Sequence, residues 1–411
     1  MNKTILHVDI NSYFATLLQQ ENPYLREKPI GVVKGLKRTC LIATSKEAKK
    51  LGVVTGMRKK DALVLCPKLL CIPASFERYL DATKRLQKVF NAIAPSIYIY
   101  SLDEAFIDIS DCKKNLYPDT QLLGKHIQQL IKTELGQWVT CNIGVAENRL
   151  LAKMASEVAV KGTIFEVTEE NKDALLATTS FADVCGVGYR LSKKLARYNI
   201  FTPYQIRFMT EEELESIVGP FWARELLKIA YGKETHLLSQ LDKKVEHMKS
   251  VGRSITGYRL YTDDTQITNI LKNLCLEVID KVRGMNLTGR QVWLGLYGQS
   301  QSWATHETLR VPINHSSELI EWIQRLYNRW SEKFPVIKFA IRLSLLEYQT
   351  QEQLLPEWQK QEAIQKALDS VNKKYGLFTI HPAAIPPTKE LIFPEVTGFL
   401  GDRLYQLREE M

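Results

Sequence analysis

The chain is 411 residues long, with 55 Lys and Arg against 46 Asp and Glu, a formal net charge of +9 and 45% hydrophobic residues. At ~100–200 residues per domain this length makes several domains with cores of their own, and the balance of apolar and charged residues excludes a disordered, collagenous or coiled-coil chain. No apolar run approaches the ~20 residues of a membrane helix, Asp9 falls where a leader would stay apolar, and seven cysteines without Cys-x-x-Cys give neither a zinc nor a disulfide framework, so a reduced, cytoplasmic protein is expected.

In chain order, 4–10 is a short β-rich run ending in a carboxylate, and a helical pattern follows over about 12–20. Residues 29–45 read as strands punctuated by Gly31 and Gly35, and 45–51 as a short helix stopped by Gly52. A helix over 76–94 precedes two β-rich segments, 97–100 and 105–109, which flank Ser101-Leu-Asp-Glu104. A helix (about 120–135), a strand (138–145) and a helix (148–158) follow. This is the order of a split βαβ unit, with helices expected on one face of an antiparallel sheet. Residues 166–235 read as short helices, and the polar, Lys-rich 236–249 as a linker. Within 250–350, β-type stretches (251–261, 291–298, 336–347) alternate with helices (265–283, 316–330), which predicts a small α/β domain. Beyond 350 comes one helix, about 359–374, in a tail whose residues 360–411 carry no readable chemistry.

Charge is unevenly spread: residues 1–165 hold 24 basic and 15 acidic side chains, and 26–60 carry 11 basic residues with only Glu27 and Glu47 as acids. Such a patch suits a polyanion, although a solvated Lys-rich surface explains charge alone equally well.

Asp9 ends the first strand, and Asp103 and Glu104 lie between two later ones. Neighbouring residues of one strand point to opposite faces, so Asp103 and Glu104 converge only if a tight turn breaks the period of two. Three gathered carboxylates repel, and a hard divalent cation, Mg²⁺ above all, relieves that cost. With a basic surface this points to phosphoryl or nucleotidyl transfer. No Gly-x-x-x-x-Gly-Lys-Ser/Thr loop occurs, and Leu191 stands where Gly-x-Gly-x-x-Gly needs its last glycine, so a P-loop and a dinucleotide fold are both disfavoured.

His-Val-Asp-Ile-Asn-Ser-Tyr-Phe-Ala (7–15) and Tyr-Ser-Leu-Asp-Glu-Ala-Phe-Ile-Asp (100–108) resemble the two metal-binding motifs of the Y-family, translesion DNA polymerases. Asn142-Ile-Gly-Val-Ala146 followed by Leu151-Ala-Lys-Met-Ala-Ser156 resembles that family's third palm motif. The resemblance covers roughly 1–350, and Lys46 and Lys49, where the DinB branch usually has Tyr and Arg, lean it towards the UmuC branch.

It implies an α+β multidomain right hand. Palm (ferredoxin-like) and fingers would occupy 1–165, with the fingers at about 16–75, and a helical thumb 166–235. A linker (236–249), an α/β little finger (250–350) and a tail (351–411) would follow. It implies that Asp9, Asp103, Glu104 and the Ile10 carbonyl hold two Mg²⁺ ions, and that Phe14 is a steric gate against the ribose 2′-hydroxyl. Ser12, Tyr13, Phe14, Lys46, Lys49 and Lys153 would bind the dNTP. In the thumb, 183–195 resembles a helix–hairpin–helix in which Gly186, Gly188, Lys193 and Lys194 meet DNA phosphates; Arg253 and Arg259 would do so in the little finger. The implied activity is low-fidelity, template-directed translesion synthesis on primer–template DNA in SOS-type damage tolerance. Gln353-Leu354 stands where a sliding-clamp peptide is expected, and a UmuD-like accessory subunit belongs to the same expectation. A catalytically silent DNA-binding relative and a palm-type nucleotide cyclase are the rival readings.

Overall fold

The structure, a computed structural model, describes residues 3–34, 39–112, 119–241, 248–348, 356–376 and 379–381. The chain divides into two compact units, with the boundary at 244/245.

In the first unit, β1 (Ile5–Ile10) leads into α1 (Tyr13–Glu21). Next come β2 (Ile30–Val33), β3 (Leu41–Thr44), α2 (Lys46–Lys50), α3 (Lys59–Leu65) and β4 (Leu70–Pro73). After α4 (Phe76–Asn91) the chain forms β5 (Ser96–Ile99), β6 (Glu104–Asp108), α5 (Thr120–Leu135), β7 (Cys141–Ala146), α6 (Arg149–Val158) and β8 (Ile164–Glu166). The main sheet has the order β5-β6-β1-β7-β8, so the four strands of the split βαβ unit take the interleaved order expected of it, and β8 adds a parallel edge to β7.

Strand β1 is central and antiparallel to both neighbours. Its alternation sends Leu6, Val8 and Ile10 into a cluster with Tyr79 and Leu86 of α4 and Leu123, Ile127 and Ile131 of α5. Ile5 faces the opposite way, into a cluster with Leu150, Leu151 and Met154 of α6, and His7 bonds to Ser156 on that helix. Helices therefore cover both faces of the sheet, not one as expected. The polar residues His7 and Asp9 concealed the second packed face in the sequence. Gly144 of β7 permits the approach: a Cβ built there would lie 1.9 Å from the Ala152 carbonyl oxygen of α6.

The second sheet, β3-β2-β4, carries α2 and α3, with Val33, Leu41, Ala48, Val53, Ala62 and Cys66 buried together. Neither α3 nor β4 was anticipated. Both are short, and β4 has no fully buried residue to set a period of two.

Helices α7 (Glu169–Thr178), α8 (Tyr189–Ala196), α9 (Glu211–Val218), α10 (Pro220–Ala230) and α11 (His236–Ser239) pack Leu175, Leu195, Leu214 and Leu226 into the cluster of α6. The segment read as linker thus begins with a helical turn, whose Leu238 is buried and accepts a hydrogen bond from the Arg149 guanidinium at 3.2 Å.

The second unit contains β9 (Ser250–Tyr261), α12 (Asp264–Gly284), β10 (Leu287–Tyr297), β11 (Ser302–Ile313), α13 (Ser316–Tyr327), β12 (Val336–Tyr348) and α14 (Pro356–Tyr375). Its sheet, β11-β10-β12-β9, is antiparallel throughout. One face packs Val292, Leu294, Leu296, Phe339, Ile341 and Leu343 under Ile270, Leu274 and Val278 of α12 and Leu319 and Ile323 of α13. Strand β11 escaped the sequence reading because exposed polar and small residues and Pro312 dilute its pattern. Helix α14 is tied to α12 by Arg283, which reaches Glu362 at 3.0 Å and Asp369 at 2.7 Å. Among the described residues no helix is long and apolar enough to cross a membrane.

Candidate active site

The register of β1 against β6 sets the site. Asp9 stands directly opposite Glu104, and the Ile10 amide donates to the Asp103 carbonyl oxygen at 2.9 Å across the opening of the β5–β6 turn. Directly paired residues of neighbouring strands carry their side chains on the same face. Asp103 lies in the turn and Glu104 begins β6, so the turn frees the pair from strict alternation, as the sequence required.

Three carboxylates in this corner have three different environments. Asp9 has no hydrogen-bond or ion-pair partner for its carboxylate among the described residues; burial, with Asp103 and Glu104 beside it, pushes its pKa up to about 7. Asp103 is also raised, by burial first, although the Ser101 hydroxyl donates to it. For Glu104 burial acts upwards too, but hydrogen bonding from His7 and the charge of Lys153 outweigh it and hold the carboxyl near 2. Lys153 of α6 contacts Glu104 Oε2 directly, and the same oxygen lies 2.9 Å from His7 Nε2.

Burial, with Lys153 nearby, depresses His7 to about 4 despite its bond to Glu104. The ring is therefore neutral at pH 7 and donates from Nε2 to the carboxylate, while Nδ1 lies 2.6 Å from the Ser156 hydroxyl, which itself donates to the Lys153 carbonyl at 2.8 Å. His7, Ser101 and Ser156 were absent from the sequence-derived site. His7 lies two residues before Asp9, so the period of two that places Asp9 on this face places His7 there as well.

No set of three His, Cys, Asp or Glu side chains among the described residues already converges as a metal-binding group, and Glu104 is engaged by His7 and Lys153. The donor chemistry nevertheless fits a hard cation. Asp9 and Asp103 are raised partly by neighbouring negative charge, and carboxylate oxygens are the donors a hard cation takes.

The first turn of α1 borders this corner. Ser12, its N-cap, sits at φ 49°, an uncommon left-handed conformation for a residue with a side chain. Its hydroxyl accepts from Lys49 Nζ at 3.2 Å, which brings α2 to the start of α1. Burial lowers the Lys49 pKa, and Lys161, a residue missing from the sequence reading, adds to that effect. Phe14 is half-buried and packs edge-on to Tyr79 with ring centroids 4.4 Å apart. Tyr13 points the other way, into the core, where its hydroxyl donates to the Tyr79 carbonyl at 2.8 Å; only its backbone remains available to a ligand. Two lysines depart from expectation. Lys46 lies over the Trp138 ring at 4.7 Å, because Trp138 offers a π-face beside α2, and Lys153 is paired with Glu104.

Gly186, at φ 88°, turns the chain so that Gly188 caps α8, whose exposed Lys193 and Lys194 lie in its last turn. Gly219, at φ 84°, makes a similar turn between α9 and α10. In the second unit Arg253 is not a surface contact: it is buried and ion-paired with Glu277 of α12. Alternation with Val251 puts it on the core face of β9, a signal the sequence contained. Arg259 is exposed, above Tyr261 at 5.4 Å. The uncovered face of this sheet instead carries Arg342 over Trp293 at 5.0 Å and Lys338 over Tyr297 at 5.2 Å, each cation paired in register with its ring. Gln353-Leu354 lies outside the described residues.

Two family models match: the impB/mucB/samB family over residues 8–157 and the impB/mucB/samB family C-terminal domain over 248–355. A protein named DNA polymerase IV from Pelotomaculum thermopropionicum is 27% identical over 398 residues, 92% of this chain and 94% of its own length. One named DNA polymerase IV 1 from Bacillus subtilis is 27% identical over 393 residues, 93% of each chain. A solved structure, the Y-family DNA polymerase chimera Dbh-Dpo4(243-245)-Dbh, superposes with a TM-score of 0.72 over 84% of this chain and 99% of its own, at 22% identity, and has the same fold. The lean towards the UmuC branch is not supported, because these relatives are named DNA polymerase IV.

Proposed function

The chain belongs to the impB/mucB/samB family and is a Y-family, DNA-directed DNA polymerase, and on that premise we propose that it copies past template lesions with low fidelity. Its substrates are primer–template DNA and dNTPs. The primer 3′-hydroxyl attacks the α-phosphate of the incoming dNTP, and pyrophosphate leaves. The observation that carries this reading is the corner of Asp9, Asp103 and Glu104, with an unpartnered Asp9 carboxylate on the central strand.

Asp9, Asp103, Glu104 and the Ile10 carbonyl would hold divalent cations, which we take to be two Mg²⁺. Such ions, when bound, lower the cost of ionising the attacking hydroxyl and offset charge building at phosphorus. Lys49 and the N-terminus of α1, whose N-cap makes no side-chain capping bond, favour the triphosphate. Phe14, braced by Tyr79, would occlude the space of a ribose 2′-hydroxyl.

The palm and fingers would be 1–165, the thumb 166–235 and the little finger 250–350. Turns at Gly186 and Gly219 suit backbone contact with DNA phosphates without reading sequence. Lys193, Lys194 and Arg259 remain candidates for phosphate contact, and Arg342 and Lys338 replace Arg253 among them. We place the protein in the cytoplasm, in SOS-type damage tolerance. The UmuD-like subunit accompanied the UmuC branch and is not carried forward.

Extension of a primed template, undamaged and lesion-bearing, with Mg²⁺ and each dNTP tests the proposal. Wild type should extend both and Asp103→Ala neither. Equal extension by the variant would remove these carboxylates from the chemistry, and no extension by wild type would overturn the reading.

A further inference from the structure

We infer that His7 is a positioning residue that commits one oxygen of Glu104 to the protein and leaves the other to a divalent cation. The inference rests on the carboxylate site proposed above. Both donors that reach Glu104, His7 Nε2 at 2.9 Å and Lys153 Nζ, arrive at Oε2. Oε1 has no hydrogen bond or ion pair among the described residues. A free glutamate can offer an ion both oxygens or swing about three torsions. With Oε2 fixed, it can offer only one oxygen, from one place.

The imidazole can act as a fixed point because it is itself immobile. His7 has no exposed surface, its Nδ1 is 2.6 Å from Ser156 Oγ on α6, and its ring packs on Phe106 with centroids 4.7 Å apart. Strand β1 thus carries the candidate ligand Asp9 and, two residues away on the same face, the group that orients the ligand on the neighbouring strand. Ordering groups behind metal ligands are usually worth about 10–100-fold in metal affinity. A histidine that only satisfied buried polar atoms would affect folding stability and leave the ion untouched.

Mn²⁺ binding to the full chain, with primer–template and a non-hydrolysable dNTP analogue, can be followed by electron paramagnetic resonance. His7→Phe keeps the ring volume without a donor and should weaken Mn²⁺ binding about 10–100-fold. His7→Gln, which retains an N–H for Glu104, should restore most of it. If His7→Phe lacks a cooperative melting transition, Ser156→Ala decides, because it removes the far anchor of the ring, together with one hydroxyl bond to the Lys153 carbonyl, and should weaken binding in the same direction. A folded His7→Phe, or in its stead Ser156→Ala, with wild-type Mn²⁺ affinity overturns the inference while the carboxylate site stands. Unchanged binding by Asp103→Ala, or none by wild type, overturns the carboxylate site itself.

Discussion

Replacing Gly144 with Ala tests how closely α6 must lie on the sheet. The new Cβ would sit 1.9 Å from Ala152 O and 2.5 Å from Ser156 N, both backbone atoms that no rotamer change can withdraw. Restoring ordinary contact, from 3.4 Å upwards, moves α6 away from β7 by about 1.5 Å. Overpacking of this kind costs about 1–3 kcal/mol. For a unit of this size that is a fall in Tm of about 2–12 °C. The same shift carries Lys153 and Ser156 away from Glu104 and His7, and a misplacement of about 1 Å near the chemistry can lower turnover about 100-fold. Thermal melting and single-turnover primer extension should fall together. A Gly144→Ala chain with wild-type Tm and rate would refute the close packing of α6 and its role in setting the site.

Three further outcomes follow from the geometry. Asp9 has a folded-state pKa of about 7 against 3.8, so it contributes no penalty below pH 3.8, destabilises increasingly as pH rises through that interval, and does so fully above 7. Denaturant melts should therefore show Asp9→Asn gaining on wild type from pH 4 to 7, with Mg²⁺ closing the gap; a pH-independent difference contradicts the burial and repulsion assigned to Asp9. Phe14→Ala should raise ribonucleotide incorporation about 10–200-fold, read by competing rNTP against dNTP, and unchanged sugar selection removes the gate. Arg253→Ala should destabilise the chain by about 3–5 kcal/mol by breaking its buried ion pair with Glu277, with little effect on DNA affinity. Arg342→Ala should do the reverse, weakening DNA binding and lowering the salt slope by about 0.9; an exchange of these phenotypes would invert the assignment.

The acidic corner was legible because its residues lie where strands must end or turn, and their chemistry survives without coordinates. His7 was not, since a polar residue within an apolar run reads as an exception until Ser156 and Glu104 are seen on either side of it. Arg253 was misread for the opposite reason: its charge was weighed and its parity with Val251 was not, so the buried Glu277 that neutralises it stayed hidden. Lys338 and Arg342 could have been found by that parity, for they alternate with the buried Phe339, Ile341 and Leu343. The short elements α3, β4 and β8 give too few residues to establish a period. The branch within the family was inferred from Lys46 and Lys49 alone, and the structure shows why two lysines are weak witnesses: one lies over Trp138 and the other reaches Ser12.

The small sheet β3-β2-β4 leaves the chain between α1 and α4, so nothing in it lies between Asp9 and its pairing with Glu104. Its attachment to the larger core runs through apolar residues, among them Ile30, Val32 and Ala43, and through the α2 contacts of Lys46 with Trp138 and Lys49 with Ser12. Changes in this segment that keep those contacts should therefore leave the strands that set the acidic corner in place.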